Sequence, residues 1–132
     1  MKNILVDTSA YGRLLSGDKR ILDPLATAET VFFSVIVMGE LMEGFRGGSK
    51  YRENRSELSR LLQKPTVKSL DVSSETAEIF AQVKHALRLA GNPIPINDIW
   101  IASQVLETGS VLVTFDEHFR KVAGLRIWDI DG

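Results

Sequence analysis

The stretch that decides the fold lies near the start of the sequence and reads Ile4-Leu5-Val6-Asp7-Thr8-Ser9. Three consecutive aliphatic residues are typical of a parallel strand that is buried on both faces. The polar residues after them can cap a helix, and we expect that helix to begin near Ala10. This stretch therefore predicts a buried strand that leads directly into a helix.

The rest of the sequence repeats this alternation of short apolar runs and helical patterns. Further strands are predicted at residues 31–33, 67–72, 111–113 and 125–130. Helices are predicted at residues 19–28, 35–45, 49–64, 73–90 and 97–108. Strands that alternate with helices indicate an α/β protein, a sandwich of helices around a central, mainly parallel sheet. A length of 132 residues, with no repeat or linker, predicts a single domain over residues 1–132.

Composition excludes several kinds of site. The chain contains no cysteine, which excludes disulfide frameworks, thiolate nucleophiles and thiolate metal ligands. The formal net charge is −1, so binding to a polyanion has to rely on a local patch. Because no segment reads as a signal peptide or a membrane span, we expect a cytoplasmic protein with no membrane partner.

Four acidic residues occupy positions that suggest one convergent pocket. Asp7 and Asp116 follow predicted strands, and ligands of parallel α/β folds gather beyond the carboxyl ends of the strands. Glu40 and Asp98 lie on or beside apolar helix stripes, where a carboxylate needs a basic partner or a cation. Close carboxylates repel one another unless a cation neutralises them. An all-oxygen ligand set is what Mg²⁺ and Mn²⁺ prefer.

Structural explanations for the same residues stay open at this stage. Asp7 and Asp98 would serve equally well as helix caps. Ser9 and Thr114 can donate hydrogen bonds to the acids, or act only as turn residues. The two histidines, His85 and His118, are expected to be solvent-exposed or locally bonded and are given no catalytic role.

The order and local context of the four acids resemble the PIN-domain family, and within it the toxin ribonucleases called VapC. The matching segments are residues 4–9, 34–44, 94–102 and 113–125, so the resemblance spans nearly the whole chain. Residues 51–72 match none of the family's motifs. Ser103 stands where many relatives carry alanine, and this departure leaves the proposed catalytic residues unaffected.

The resemblance implies a Mg²⁺-dependent endoribonuclease, with Mn²⁺ as an alternative ion, that is the toxin of a type II toxin–antitoxin pair. Its partners would be an RNA substrate and a cognate antitoxin protein. The family's acidic quartet would be Asp7, Glu40, Asp98 and Asp116. Asp7 and Asp98 would bind the metal directly, and Glu40 and Asp116 directly or through water. Thr114 matches the family's hydroxyl beside the last acid.

The predicted quartet contains no histidine that could serve as the general base of a 2′-hydroxyl mechanism. We therefore expect attack by metal-activated water, which leaves a 5′-phosphate and a 3′-hydroxyl. One alternative is a PIN nuclease or RNA-binding module of RNA processing, with no antitoxin. The other is a phosphotransfer or phosphatase domain, which also places an aspartate after its first strand. Phosphatases of that kind carry a second aspartate two positions later, where this chain has Ser9.

Two surface features give expectations about binding. Between residues 46 and 68 the only acidic side chains among many basic ones are Glu53 and Glu57. The basic excess could track RNA phosphates, or the segment could simply form a solvated helix. The basic residues are Arg46, Lys50, Arg52, Arg55, Arg60, Lys64 and Lys68, and the first four are the RNA-binding candidates. Trp100, on the otherwise polar side of its helix that carries Ser103, Gln104 and Glu107, suggests a contact surface and a homodimer.

Overall fold

The computed structural model describes residues 3–131 and contains a parallel sheet flanked by helices. The strands are β1 (Asn3–Val6), β2 (Thr30–Ser34), β3 (Val67–Leu70) and β4 (Val111–Val113), in the sheet order β3-β2-β1-β4. The helices are α1 (Thr8–Leu15), α2 (Leu22–Thr27), α3 (Val35–Arg46), α4 (Tyr51–Leu62), α5 (Ser74–Leu89) and α6 (Ile96–Thr108), and a 3₁₀ helix covers Glu117–Lys121. All strand pairings are parallel, which confirms the predicted fold class.

The core forms around the central strand β1, as its apolar run predicts. Ile4 and Leu5 are fully buried, and Leu5 lies opposite Phe32 of β2 and Leu112 of β4. Complete burial of one such aliphatic side chain contributes about 1.5–3 kcal/mol of transfer free energy. The ring of Tyr11 in α1 packs edge-on against a buried phenylalanine of β2, with 5.6 Å between the centroids. This packing places the start of α1 beside the carboxyl ends of the central strands.

Helix boundaries follow the caps in the sequence. The Asp7 side chain accepts a hydrogen bond from the Ala10 backbone N–H, so α1 begins two residues earlier than predicted. Ser34 caps α3, and Ser73 caps α5 in a reciprocal arrangement with the third residue of that helix. Gly109 ends α6 with φ at +64°, a left-handed conformation that glycine adopts without a steric penalty. Within residues 3–131 no helix is both long and apolar enough to cross a bilayer.

The predicted strand at residues 125–130 is wrong. This segment makes a single parallel bridge, in which Ile127 lies opposite Leu112. The Leu112 N–H donates to the Arg126 carbonyl and the Trp128 N–H donates to the Leu112 carbonyl, both at 2.8 Å. These two hydrogen bonds make one bridge and not a strand of the predicted length.

The side of α6 that carries Trp100 is not the polar surface that the sequence suggested, and the contact surface predicted there stays a prediction. Trp100 stacks on Phe80 of α5, with 3.8 Å between the ring centroids, so it packs within the chain. Ser103 and Gln104 are fully buried, because α6 is packed on more than one side. The prediction of a homodimer rested on this polar side of α6, and without that support it stays a prediction.

Candidate active site

The topology brings the elements that carry the four predicted acids to one edge of the sheet. Asp7 directly follows β1, and Asp116 lies three residues beyond β4. These strands are neighbours, with Val6 opposite Val113. Glu40 belongs to α3, which leaves β2 at the same edge, and Asp98 lies in the first turn of α6.

Asp7 is a buried carboxylate surrounded by neutral hydrogen-bond donors. Its residue is 3% exposed, and its oxygens accept from the Ala10 N–H at 2.9 Å, the Ser9 hydroxyl at 2.8 Å and the Thr114 hydroxyl at 2.5 Å. Burial raises the pKa of Asp7 to about 6, although these hydrogen bonds lower it; the charge of Asp98 raises it further. A cation beside this carboxylate would favour its ionised form.

Two hydroxyl groups connect Asp7 to the loop that carries Asp116. The Ser9 hydroxyl accepts from the Phe115 N–H at 3.0 Å, and the Thr114 hydroxyl accepts from the Asp116 N–H at 2.9 Å. Each hydroxyl therefore donates to Asp7 and accepts from the loop. The two supporting residues that the sequence suggested both donate to the acid, Ser9 from the first turn of α1 and Thr114 from the loop after β4.

Asp98 is the acid through which the quartet is coupled. Its side chain is 15% exposed, and burial is the largest cause of its raised pKa. The charges of Asp116 and Glu40 raise this pKa further, whereas a hydrogen bond with His118 lowers it. Because the Asp98 charge also raises the pKa of Asp7, all four predicted acids lie within electrostatic reach of this one carboxylate.

Glu40 has neutral partners. The Thr8 hydroxyl donates to its Oε1 at 2.5 Å, and the Asn97 amide lies 3.4 Å from its Oε2. Glu40 is half-buried, and no lysine or arginine of the described chain forms an ion pair with it. Of the two partners expected for Glu40, the basic side chain is not found among the described residues. Thr8 and Asn97 were missed in the sequence, although each is adjacent to a predicted acid.

His118 lies closer to the acids than the sequence indicated. Its Nδ1 is 3.3 Å from Asp98 Oδ2 and 3.1 Å from Asp116 Oδ1. One ligand atom from each of these three residues lies within 4.8 Å of the others. The only signal in the sequence was its position two residues after Asp116. His85 is exposed on α5 and is not part of this cluster.

The basic segment lies on α4 and on the elements beside it. It runs from the end of α3 to β3, the edge strand opposite β4. Arg46, Lys50 and Arg52 are exposed and Arg55 is partly exposed. Among residues 3–131, none of the seven basic side chains forms an ion pair, and the Arg46 guanidinium lies 5.0 Å from the centroid of the Tyr51 ring.

The sequence is similar to those of known ribonucleases. A family model described as the PIN domain matches residues 4–125. Ribonuclease VapC5 from Mycobacterium tuberculosis (strain ATCC 25618 / H37Rv) is 26% identical over 120 residues, which cover 91% of this chain and 87% of that protein.

The fold is shared with solved structures. DNA-bound VapBC from Salmonella typhimurium superposes with a TM-score of 0.86 at 22% identity, over 98% of this chain and 99% of the other. VapBC-5 from Mycobacterium tuberculosis, described as a member of the VapBC family of toxin–antitoxin systems, superposes with a TM-score of 0.71 at 22% identity, over 96% and 100% of the two chains. At these identities the likeness shows a common fold.

Proposed function

The chain belongs to the PIN-domain family, and we propose that it is a metal-dependent endoribonuclease and the toxin of a type II toxin–antitoxin pair. The observation that carries the proposal is the electrostatic coupling of four carboxylates at one edge of the sheet, where neutral donors and one histidine are their partners. The relative named a ribonuclease supports RNA as the substrate, and VapBC-5 supports an antitoxin as the partner. The family match does not favour the phosphatase alternative.

The donor set fits a hard divalent ion such as Mg²⁺, with Mn²⁺ as the alternative. Carboxylate oxygens are the preferred ligands of both ions. The pKa of Asp7 is raised to about 6 and the pKa of Asp98 is also raised, so both charges are poorly compensated by the protein alone. We assign direct binding to Asp7 and Asp98. Asp116 and Glu40 would bind directly or through water.

When bound, such an ion would polarise a phosphoryl oxygen, lower the pKa of the attacking water and neutralise charge on the leaving oxygen. The protein holds the groups that position the reactants. Thr8 keeps Glu40 oriented, and Thr114 links Asp7 to the backbone of Asp116. The Asp116 side chain is 33% exposed, so solvent water reaches it and can be oriented by it. We therefore propose hydrolysis by water.

The experiment that tests the proposed function is cleavage of single-stranded RNA by the purified protein. We expect cleavage with Mg²⁺ or Mn²⁺, none with EDTA, and recovery when the ion is restored. The products should carry a 5′-phosphate and a 3′-hydroxyl, which end-specific ligation and sequencing distinguish. Cleavage that persists in EDTA and leaves a 2′,3′-cyclic phosphate would contradict the proposed chemistry.

We also propose that Arg46, Lys50, Arg52 and Arg55 contact the RNA backbone. Exposed basic residues without ion-pair partners can release counterions on binding phosphate. They lie on the side of the sheet that ends in β3, the edge strand farthest from β4. They would therefore bind substrate without belonging to the carboxylate site.

Replacement of Arg52 and Arg55 by glutamine should weaken RNA binding and reduce its salt dependence. We expect the log–log salt slope to fall by about one unit for each lost phosphate contact. Fluorescence anisotropy of the cleavage-deficient Asp98→Asn protein at several salt concentrations measures this slope. A matched control replaces Lys84 and Arg88 of α5, which lie outside the basic segment. If both double variants bind as the parent does, the segment is only a solvated helix.

A further inference from the structure

His118 places a nitrogen donor beside two carboxylate oxygens of the candidate site. The distances from its Nδ1 are 3.3 Å to Asp98 Oδ2 and 3.1 Å to Asp116 Oδ1. Two donors that bind one ion at about 2.1 Å and at a right angle lie about 3 Å apart. Both separations therefore match those of neighbouring ligands of one ion.

We propose that His118 is a nitrogen ligand of the metal site, beside Asp98 and Asp116, and that it shifts the preference of the site from Mg²⁺ toward first-row transition ions. This inference rests on the proposed function and deepens it. An all-oxygen site suits Mg²⁺, whereas an imidazole nitrogen adds affinity for ions later in the series from Mn²⁺ to Co²⁺ and beyond. The residue thus determines which ion the site selects.

The backbone holds His118 in this position independently of its ring. Asp116 caps the 3₁₀ helix, and its Oδ1 accepts from the His118 N–H at 2.9 Å. The next residue, Phe119, is fully buried and anchors this turn in the core. The His118 side chain is 47% exposed, so it can bind an ion with little desolvation. Replacement of the ring should therefore leave both the cap and the core intact.

A second explanation for the geometry makes the opposite prediction. His118 could act as a positively charged counter-ion that stands between the two carboxylates and competes with the metal. In that case removal of the imidazole would tighten the binding of every divalent ion. If His118 is a ligand, its removal weakens the binding of transition ions selectively.

The test is a calorimetric titration of the purified chain with Co²⁺ and with Mg²⁺. For His118→Ala we expect the Co²⁺ affinity to fall about tenfold or more and the Mg²⁺ affinity to fall less than about threefold. The Co²⁺ absorption spectrum should change in the same variant, since one nitrogen ligand is lost. His85→Ala removes the other histidine of the sequence, and should behave as wild type in both titrations.

His118→Gln provides a second variant, because its amide oxygen can replace the ligand without the nitrogen. We expect it to bind Mg²⁺ as wild type does but to lose the preference for Co²⁺. A Co²⁺ to Mg²⁺ affinity ratio that is unchanged in both His118 variants would overturn the inference, as would tighter binding of both ions. These outcomes leave the proposed function standing if wild-type protein binds either ion. If wild-type protein binds neither ion, the proposed function and this inference both fail.

Discussion

Asp7→Asn protein is expected to lose RNA cleavage by roughly a thousandfold or more, and to be more stable than wild-type protein when no metal is present. The two effects have one cause, since Asp7 is buried and its pKa is raised to about 6. Asparagine caps a helix as well as aspartate does, so the Ala10 N–H keeps its acceptor. The substitution removes the charge that we assign to metal binding and leaves one acceptor oxygen, so the hydrogen bond from the Thr114 hydroxyl is weakened or lost.

The raised pKa of Asp7 fixes the sign of its contribution to stability. Between pH 4 and pH 6 the unfolded chain has lost this proton while the folded chain still binds it, so the free energy of unfolding falls as pH rises. A shift from 3.8 to about 6 corresponds to about 3 kcal/mol, present below pH 4 and lost above pH 6. Urea titrations over this range should show the decline in metal-free wild-type protein and a smaller one in Asp7→Asn.

Metal should reverse the order of stabilities. An ion that binds only the folded state stabilises it in proportion to the logarithm of its concentration over Kd. Wild-type protein should therefore gain stability from Mg²⁺ or Mn²⁺, and Asp7→Asn protein should gain little. Asp71→Asn is the matched control, because Asp71 is an exposed acid that follows β3 as Asp7 follows β1. Cleavage by Asp7→Asn protein at the rate of the wild-type protein would contradict the assignment of Asp7 as a metal ligand.

The sequence predicted the acids because their positions depend on local patterns. Asp7 is adjacent to a wholly apolar strand, and a parallel sheet brings the carboxyl ends of its strands to one edge. Glu40 and Asp98 were visible as carboxylates among apolar helix residues, where their burial demands a partner. Their proximity to Asp98 follows from the tertiary structure, in which the charges of Asp116 and Glu40 raise the pKa of Asp98.

The partners of Glu40 and the contact of His118 with Asp98 could not be predicted, since they depend on distances between separate elements. Thr8 reaches Glu40 across 32 residues of sequence, and Asn97 reaches it across 57. The sequence suggested that His118 is exposed or locally bonded, and its contact with Asp116, two residues away, is local. The contact of His118 with Asp98, however, joins the 3₁₀ helix to α6. No local pattern contains that information.

The errors in the fold have a similar origin. The apolar residues at 125–130 predict a strand, but only Ile127 forms a bridge with β4. The polar side of α6 predicts solvent exposure, yet Ser103 donates to the Ile99 carbonyl at 2.6 Å and Gln104 donates to the Asp71 carbonyl at 3.3 Å. Both polar side chains are therefore buried with a hydrogen bond each, although the Gln104 side-chain oxygen has no partner among the described residues. Helix periodicity alone does not reveal this burial.

Induced expression of this chain in bacterial cells is expected to stop growth, and co-expression of its antitoxin is expected to restore it. The proposed toxin role predicts that the antitoxin gene lies immediately upstream. The coupled carboxylates offer the antitoxin an acidic pocket whose partners in the described chain are neutral donors and His118. A basic side chain inserted there would form charge-assisted hydrogen bonds and oppose metal binding. Colony counts after induction measure the arrest and its rescue.

The competition between antitoxin and metal can be measured with purified components. If both occupy the acidic pocket, added antitoxin should weaken Mn²⁺ binding, and saturating Mn²⁺ should weaken antitoxin binding by the same factor, as linkage requires. Cells that express Asp7→Asn protein at a matched level should grow normally, whereas Asp71→Asn should arrest growth as wild type does. If cells grow normally with both the wild-type and the Asp7→Asn protein, the toxin role is refuted. The cleavage assay would still decide the nuclease activity. Antitoxin binding that leaves Mn²⁺ affinity unchanged would place the antitoxin outside the acidic pocket.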